Sequence, residues 1–189
     1  MMQGAEAPLI FRLDRLVLLL MLAVLAAILT MAMVMQYALG EIPCPLCLLE
    51  RVAMFGCCFG LIRQLRDGRS ERGAGIGQIF ALLLVISVRQ TLLDLFPRPG
   101  HAYIGSAVLG LHMEVWSVVV AVALLLGFAI RLALFGAPRI APASEGTAMQ
   151  RCVRGLQFYV VLLCAINFLS VVLQCGLGQC HTFGYRLLH

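Results

Sequence analysis

The chain has 189 residues, of which 62% are hydrophobic and only 12% are charged, and its mean hydropathy is +0.99. Soluble globular domains are far more polar, so this composition predicts a chain that is solvated largely by lipid. The net charge of +5 comes from arginine, because no lysine occurs, and the arginines cluster in short polar stretches instead of forming a basic face. We therefore expect no nucleic acid partner.

Five apolar segments are long enough to cross a membrane as helices. At about 1.5 Å rise per residue, a helix needs about 20 residues to span a hydrocarbon core of roughly 30 Å. The link between the fourth and fifth segments is rich in Pro, Ala, Ser and Gly, which is typical of an exposed linker. The sequence predicts an all-α membrane protein with a single domain over residues 1–189. Its predicted helices cover residues 16–39, 44–62, 75–96, 113–135 and 153–174, with a linker at 136–152 and a tail at 175–189.

The arginine distribution predicts the orientation, because loops on the cytoplasmic side of a membrane are enriched in Arg and Lys. Arginine-rich stretches precede the first helix, join the second to the third, and flank the link between the fourth and fifth. Five crossings then place the N-terminus inside and the C-terminus outside. The link before Cys44, the loop 97–112 and the tail 175–189 are expected on the outer side.

The motif Cys44-Pro45-Leu46-Cys47 lies at the predicted outer end of the second helix. Pro45 suits the first helical position, which places Cys44 at the cap and Cys47 in the first turn, where the helix dipole favours a thiolate. Arg51 follows four residues later, one turn deeper on the same helix face, and adds a positive charge. Because a thiolate attacks disulfides and donates electrons, we predict a redox pair with Cys44 towards water and Cys47 towards an apolar electron acceptor.

A CxxC motif also occurs at haem attachment sites and at zinc sites. Haem attachment is disfavoured because Leu48, and not His, follows the motif. A zinc site needs further ligands, which Cys175, Cys180 and His181 in the tail provide. The apolar position beside Arg51 suits a thiolate better than a cation, so we expect no metal.

Six more cysteines lie elsewhere in the chain. Cys175 and Cys180 are separated by four residues, two of them glycine, and emerge on the same side as Cys44. They form either a second redox pair that exchanges with the first or a structural disulfide that ties down the tail. The other four are interpreted as small packing residues: Cys57, Cys58, Cys152 and Cys164.

Ionisable residues inside membrane helices are costly and point to function by default. The predicted topology brings Glu50, Arg51, Arg89, Asp94 and Glu114 to the outer leaflet. For Asp94 and Glu114 an ordinary interfacial position is favoured, whereas the spacing of Arg51 from the cysteines favours a functional role. Arg89, Glu50 and the outer-side histidines are candidates for proton handling; those histidines are His101, His112, His181 and His189.

The run Cys44-Pro-Leu-Cys47-Leu-Leu-Glu50-Arg51 resembles the CxxCxxxR signature of the bacterial disulfide bond formation protein B (DsbB) family. The stretch Gly105 to Trp116 is also similar to a segment in that family, and the likeness covers roughly residues 16–135. The resemblance implies a four-helix bundle in the bacterial inner membrane with its active cysteines on the periplasmic side.

The same resemblance implies an enzyme. Members of the family reoxidise a periplasmic thiol oxidoreductase of the DsbA type and pass the electrons to ubiquinone or menaquinone. In this chain the family's quinone-reactive pair is Cys44 and Cys47, and the arginine that contacts the quinone ring is Arg51. A cofactor-binding role for Arg89 is a further expectation.

The chain departs from the family pattern at one important place. Family members hold a second cysteine pair in the loop between the third and fourth helices, but residues 97–112 contain no cysteine. We hypothesise that Cys175 and Cys180, carried by the additional fifth helix, replace that pair. The rival hypothesis is a non-catalytic structural or quinone-binding subunit of a larger membrane complex, since the loop cysteines are absent.

Overall fold

The computed structural model describes residues 6–67, 73–96, 107–108, 110–135 and 147–176. Each of its five long helices contains a span that is long and apolar enough to cross a membrane, which confirms the predicted membrane architecture. The helices are α1 (Glu6–Ala38), α2 (Pro45–Asp67), α3 (Gly73–Leu95), α4 (Met113–Phe135) and α5 (Thr147–Cys175).

Several helices extend beyond their predicted apolar segments. Helix α1 begins at Glu6 and not at residue 16, α2 continues past residue 62 to Asp67, and α5 begins at Thr147 and not at residue 153. Hydropathy marks only the part of a helix that is immersed in lipid. Backbone hydrogen bonding continues into the polar flanks, where long arginine side chains reach water.

A short hairpin precedes α4 at a place where the sequence predicted only a loop. Strand β1 (Ala107–Val108) pairs antiparallel with β2 (Leu111–His112). Gly110 in the connecting turn has a φ of 80°, a conformation that favours glycine. The hairpin leads directly into Met113, so it defines where α4 begins.

Helices α1 to α4 form a bundle in which each helix packs against the next in sequence and α1 also contacts α4. The bundle interior is apolar, and the rings of Phe80 on α3 and Phe128 on α4 meet edge to face at 5.6 Å. The same core contains fully buried residues from α1, α2 and α3: Leu22, Leu25, Leu29, Leu61 and Leu83. The predicted four-helix bundle is therefore present.

Two glycines let α2 and α3 approach closely. A Cβ placed on Gly56 would lie 3.3 Å from Ile79, and one placed on Gly60 would lie 3.2 Å from Ile76. Small residues four apart on one face are a common device for packing membrane helices, since lipid provides no hydrophobic force between them. This contact holds α3 against the helix that carries the CxxC motif.

Helix α5 lies outside the bundle, against α1 and α2. Hydrogen bonds join it to α1 through the hydroxyls of Thr30 and Tyr159, which are 2.6 Å apart, and through those of Tyr37 and Ser170. Its buried residues recur at spacings of three, four or seven along one face: Val153, Val160, Leu163, Asn167, Ser170 and Gln174. The rest of its surface is largely exposed, as expected for a helix that faces lipid.

An ion pair lies at the end of the bundle opposite the CxxC motif. Arg131 near the end of α4 donates to both carboxylate oxygens of Asp14 near the start of α1, at 2.5 and 2.9 Å. Both side chains are buried, with exposed fractions of 1% and 7%. The pair joins the first and last helices of the bundle.

Removing one partner of this pair should destabilise the protein strongly. Asp14→Ala leaves the Arg131 charge buried without its carboxylate, at a cost of about 3–5 kcal/mol. We expect a clear fall in the thermal unfolding temperature of the purified protein in detergent. The double variant Asp14→Leu with Arg131→Met should recover most of the loss. Unfolding of Asp14→Ala at the wild-type temperature would contradict a stabilising pair.

Candidate redox site

Cys44 and Cys47 are joined by a disulfide at the start of α2, with their Cα atoms 5.0 Å apart. Because α2 begins at Pro45, Cys44 occupies the cap position, and its sulfur accepts a hydrogen bond of 3.0 Å from the backbone N–H of Cys47. The Cys44 carbonyl also accepts the N–H of Leu48. The predicted cap geometry is therefore present, and a backbone N–H in the first turn of the helix points at sulfur.

Gln90 on α3 contacts both sulfurs of this disulfide. Its Nε2 lies 3.6 Å from the Cys44 sulfur and 3.4 Å from the Cys47 sulfur, and it also lies 3.3 Å from Glu114 Oε1 at the start of α4. The side chain is 5% exposed. One amide group thus links three helices at the site. Gln90 was not predicted as a site residue, because it carries no charge and belongs to no motif.

Arg51 is buried one turn below Cys47, as its spacing predicted, but its guanidinium turns towards α1. Nη1 donates to Oε1 of Gln36, and Nη2 donates to the carbonyl oxygen of Ala32 at 3.1 Å. The arginine is 8% exposed, and Gln36 is 3% exposed. A cation therefore lies inside the bundle near the disulfide, with its orientation set by α1. Gln36, like Gln90, was missed as an uncharged membrane residue.

Glu114 does not occupy the interfacial position favoured by the sequence. Its side chain is 6% exposed and faces Gln90 inside the bundle, because α4 begins only one residue earlier and directs this position inward. That interpretation was wrong for Glu114. The side chain of Asp94 lies outside the described residues.

A second polar layer lies one turn deeper than the cysteines. The hydroxyls of Ser87 on α3 and Ser117 on α4 are 2.7 Å apart, and the carboxyl of Glu50 on α2 lies beside both. Glu50 also interacts with Glu114. Each of the helices α2, α3 and α4 thus contributes one polar residue to the disulfide layer and another to the layer below.

The end of α5 reaches the segment that leads into the CxxC motif. Gln174 is fully buried, and its Nε2 donates to the carbonyl oxygen of Pro43 at 2.9 Å. The next residue, Cys175, is buried and disulfide-bonded. Cys180 and the histidines His101, His181 and His189 lie outside the described residues.

Arg89 lies on a different face of α3 from Gln90. It is exposed and borders an open groove on the outer surface of α3, which is otherwise lined by apolar side chains including Val85, Val88, Leu92 and Phe96. None of the described residues forms a hydrogen bond with Arg89. The structure therefore does not bring Arg89 together with the cysteine pair.

The remaining cysteines divide into two groups. Cys57 and Cys58 are buried in the core, which confirms their predicted packing role. Cys152 and Cys164 are exposed on α5, so the same interpretation was wrong for them. Helix α5 packs through a single face, so most of its surface is exposed.

Gln90→Leu should make the Cys44–Cys47 disulfide harder to reduce. The amide N–H is a better partner for a thiolate than for a disulfide sulfur, so its loss penalises the reduced state. A loss of about 1 kcal/mol corresponds to an approximately fivefold shift of the equilibrium towards the disulfide. Titration with glutathione, read by thiol alkylation, measures this shift. Gln64→Leu, another buried glutamine but at the far end of α2, is the matched control; an equal shift in both variants would refute the role of Gln90.

The family described as disulfide bond formation protein DsbB matches residues 14–102, which include α1, α2, α3 and the CxxC motif. Among curated proteins and solved structures, no match was found. The matched part contains Arg51 and Gln90 but ends before α4 and α5. The helical membrane architecture and the disulfide at the start of α2 agree with this match, and together they support membership of the DsbB family for residues 14–102.

Proposed function

We propose that this membrane protein is a thiol:quinone oxidoreductase that generates disulfides through the Cys44–Cys47 pair. Its family is one of disulfide formation. The observation that carries the proposal is a disulfide at the N-terminus of a membrane helix with a buried arginine one turn below it. Dithiol oxidation at this place needs an electron acceptor that is soluble in lipid, because the pair lies beside the bundle interior.

The residues around the disulfide fit a quinone, either ubiquinone or menaquinone. A quinone supplies a two-electron acceptor whose carbonyl oxygens take protons as they gain charge. Arg51 supplies a buried cation with N–H donors, which stabilise such charge best in a water-poor site. Gln90 Oε1 has no hydrogen-bond partner among the described residues and offers an acceptor for a quinol hydroxyl.

The electrons enter, in our proposal, from a periplasmic dithiol protein of the DsbA type by way of Cys175 and Cys180. Reduction of the tail disulfide by the partner oxidises the partner's two thiols. Exchange with the Cys44–Cys47 disulfide then restores the tail disulfide and leaves two thiols at α2. The hydrogen bond from Gln174 to Pro43 supports this order, since it holds the residue before Cys175 next to the residue before Cys44.

We place the protein in the bacterial inner membrane with the cysteine end of the bundle on the periplasmic side. The support is the arginine asymmetry: Arg15, Arg63, Arg66 and Arg151 all lie towards the end opposite the disulfide. Disulfide chemistry also belongs to the oxidising side of that membrane.

A second candidate is a non-catalytic DsbB-like subunit of a larger membrane complex. The absence of cysteine from residues 97–112 favours it. Purification without loss of associated subunits separates the two candidates. An active oxidase should show thiolate–quinone charge-transfer absorption on its own, whereas a structural subunit should co-purify with other membrane proteins and lack that absorption.

Arg51→Gln should slow quinone reduction by about 10- to 100-fold, because a donor that stabilises developing negative charge in a buried site is lost. The assay follows reduction of a short-chain ubiquinone by the purified protein with a reduced periplasmic dithiol. Arg63→Gln, at the opposite end of α2, should retain wild-type rates. If Arg89→Gln has the larger effect, the quinone is held by the outer surface of α3 and our assignment to Arg51 fails.

Replacing both Cys175 and Cys180 with serine tests the relay. We expect oxidation of the protein dithiol to fall at least tenfold, while direct reduction of the Cys44–Cys47 disulfide by dithiothreitol stays unchanged. Unchanged turnover with the protein dithiol would leave the tail cysteines with a structural role only.

A further inference from the structure

Two carboxyl groups are buried in the membrane bundle close to the Cys44–Cys47 pair. Glu114 is 6% exposed and Glu50 is 7% exposed. Arg51 is directed to α1, and Arg131 pairs with Asp14 at the other end of the bundle. Carboxyls kept inside a membrane bundle are costly, and they persist where they serve a proton or ion path.

Five polar side chains follow one another from the Cys47 sulfur into the layer below: Gln90, Glu114, Ser117, Ser87 and Glu50. One amide nitrogen of Gln90 contacts both Cys47 and Glu114. Glu114 precedes Ser117 by almost one turn of α4, the Ser117 hydroxyl meets that of Ser87, and Glu50 lies beside both serines. Hydroxyls both donate and accept, so the serine pair can pass a proton.

Each of the two polar layers, the one at the disulfide and the one below it, contains a hydrogen-bond acceptor without a partner among the described residues. Gln90 Oε1 in the upper layer and Glu50 Oε1 in the lower layer are buried and have no hydrogen-bond partner among the described residues. Buried acceptors without partners are rare in folded proteins and call for an explanation. A proton that arrives during the reaction, on the carboxyl or through a water molecule, would satisfy them.

We propose that Glu114, lying across Gln90 from the cysteines, accepts a proton released when the Cys44/Cys47 dithiol is oxidised, and that Glu50 accepts the second. This inference rests on the proposed function. The reaction breaks two S–H bonds and forms one S–S bond. The two electrons pass to the quinone, and the two protons pass through the carboxylates to its oxygens, so that a quinol leaves.

The pH dependence of this step has a definite sign. Glu114 accepts a proton only as a carboxylate, so quinone reduction should slow at low pH, where more of this group is already protonated. The titratable groups next to Glu114 are Glu50 on α2 and the reduced cysteines. In strand β2, directly before α4, the exposed His112 lies two residues earlier, and on α3 Arg89 occupies the outward face.

Glu114→Gln is the decisive variant, because its amide oxygen still accepts the hydrogen bond from Gln90 but accepts no proton. We expect kcat for quinone reduction to fall about 100-fold, the low end of the range for general acid–base catalysis. The KM for quinone should stay within about twofold, and the low-pH decline of kcat should disappear. Glu114→Asp should restore part of both the rate and the decline, and Glu50→Gln should show a smaller loss.

A structural role predicts a different result. The glutathione equilibrium of Cys44–Cys47 should stay within about twofold of wild type in Glu114→Gln, whereas a general disturbance of the site would shift it. Glu41→Gln, which changes a half-buried carboxyl near the cysteines that is not part of the proposed proton pathway, should keep the wild-type pH profile. If Glu114→Gln does not fold, Glu114→Asp and Glu50→Gln carry the test through their pH profiles.

The outcomes separate this inference from the proposed function. If the wild-type protein does not reduce quinone with a dithiol, the proposed function fails. If it does, and Glu114→Gln retains the wild-type kcat and its low-pH decline, only the proton pathway is overturned. A shifted glutathione equilibrium in Glu114→Gln, with a proportional loss of kcat, overturns it as well.

Discussion

The contact of Gln90 with both sulfurs is the interaction on which the site depends. A membrane bundle has no water to satisfy stray polar groups, so each buried amide must find its partners among neighbouring helices. Here one amide nitrogen meets Cys44, Cys47 and Glu114, and in doing so it relates α2, α3 and α4 at a single depth. Close packing at Gly56 brings α3 near enough for this contact.

The cost of burying charged and polar side chains is offset differently at the two ends of the bundle. At the far end, opposite charges on Asp14 and Arg131 neutralise one another at hydrogen-bond distance. At the disulfide end, neutral amides of Gln36 and Gln90 contact the arginine and the sulfurs. The neutral amide of Gln90 does not cancel the charge of a thiolate that forms during the reaction, whereas a permanent ion pair would.

The fifth helix joins an apolar surface to the redox site. Its buried face packs on α1 and α2, and polar contacts such as the hydrogen bond between Thr30 and Tyr159 lie within that interface. At its end Gln174 binds the backbone of Pro43, directly before the redox pair. This geometry explains how a chain without cysteine in residues 97–112 can hold a second disulfide-bonded cysteine near the first pair.

From the sequence alone follow the five membrane helices, the cap geometry of the CxxC motif and the family resemblance, because hydropathy, Pro45 and motif spacing are local properties. The partners of that motif are not local. Gln90 and Gln36 carry no charge and no motif, and Glu114 looks interfacial until α3 and α4 pack around it. Which buried groups meet depends on helix rotation and depth, and only the tertiary structure decides those.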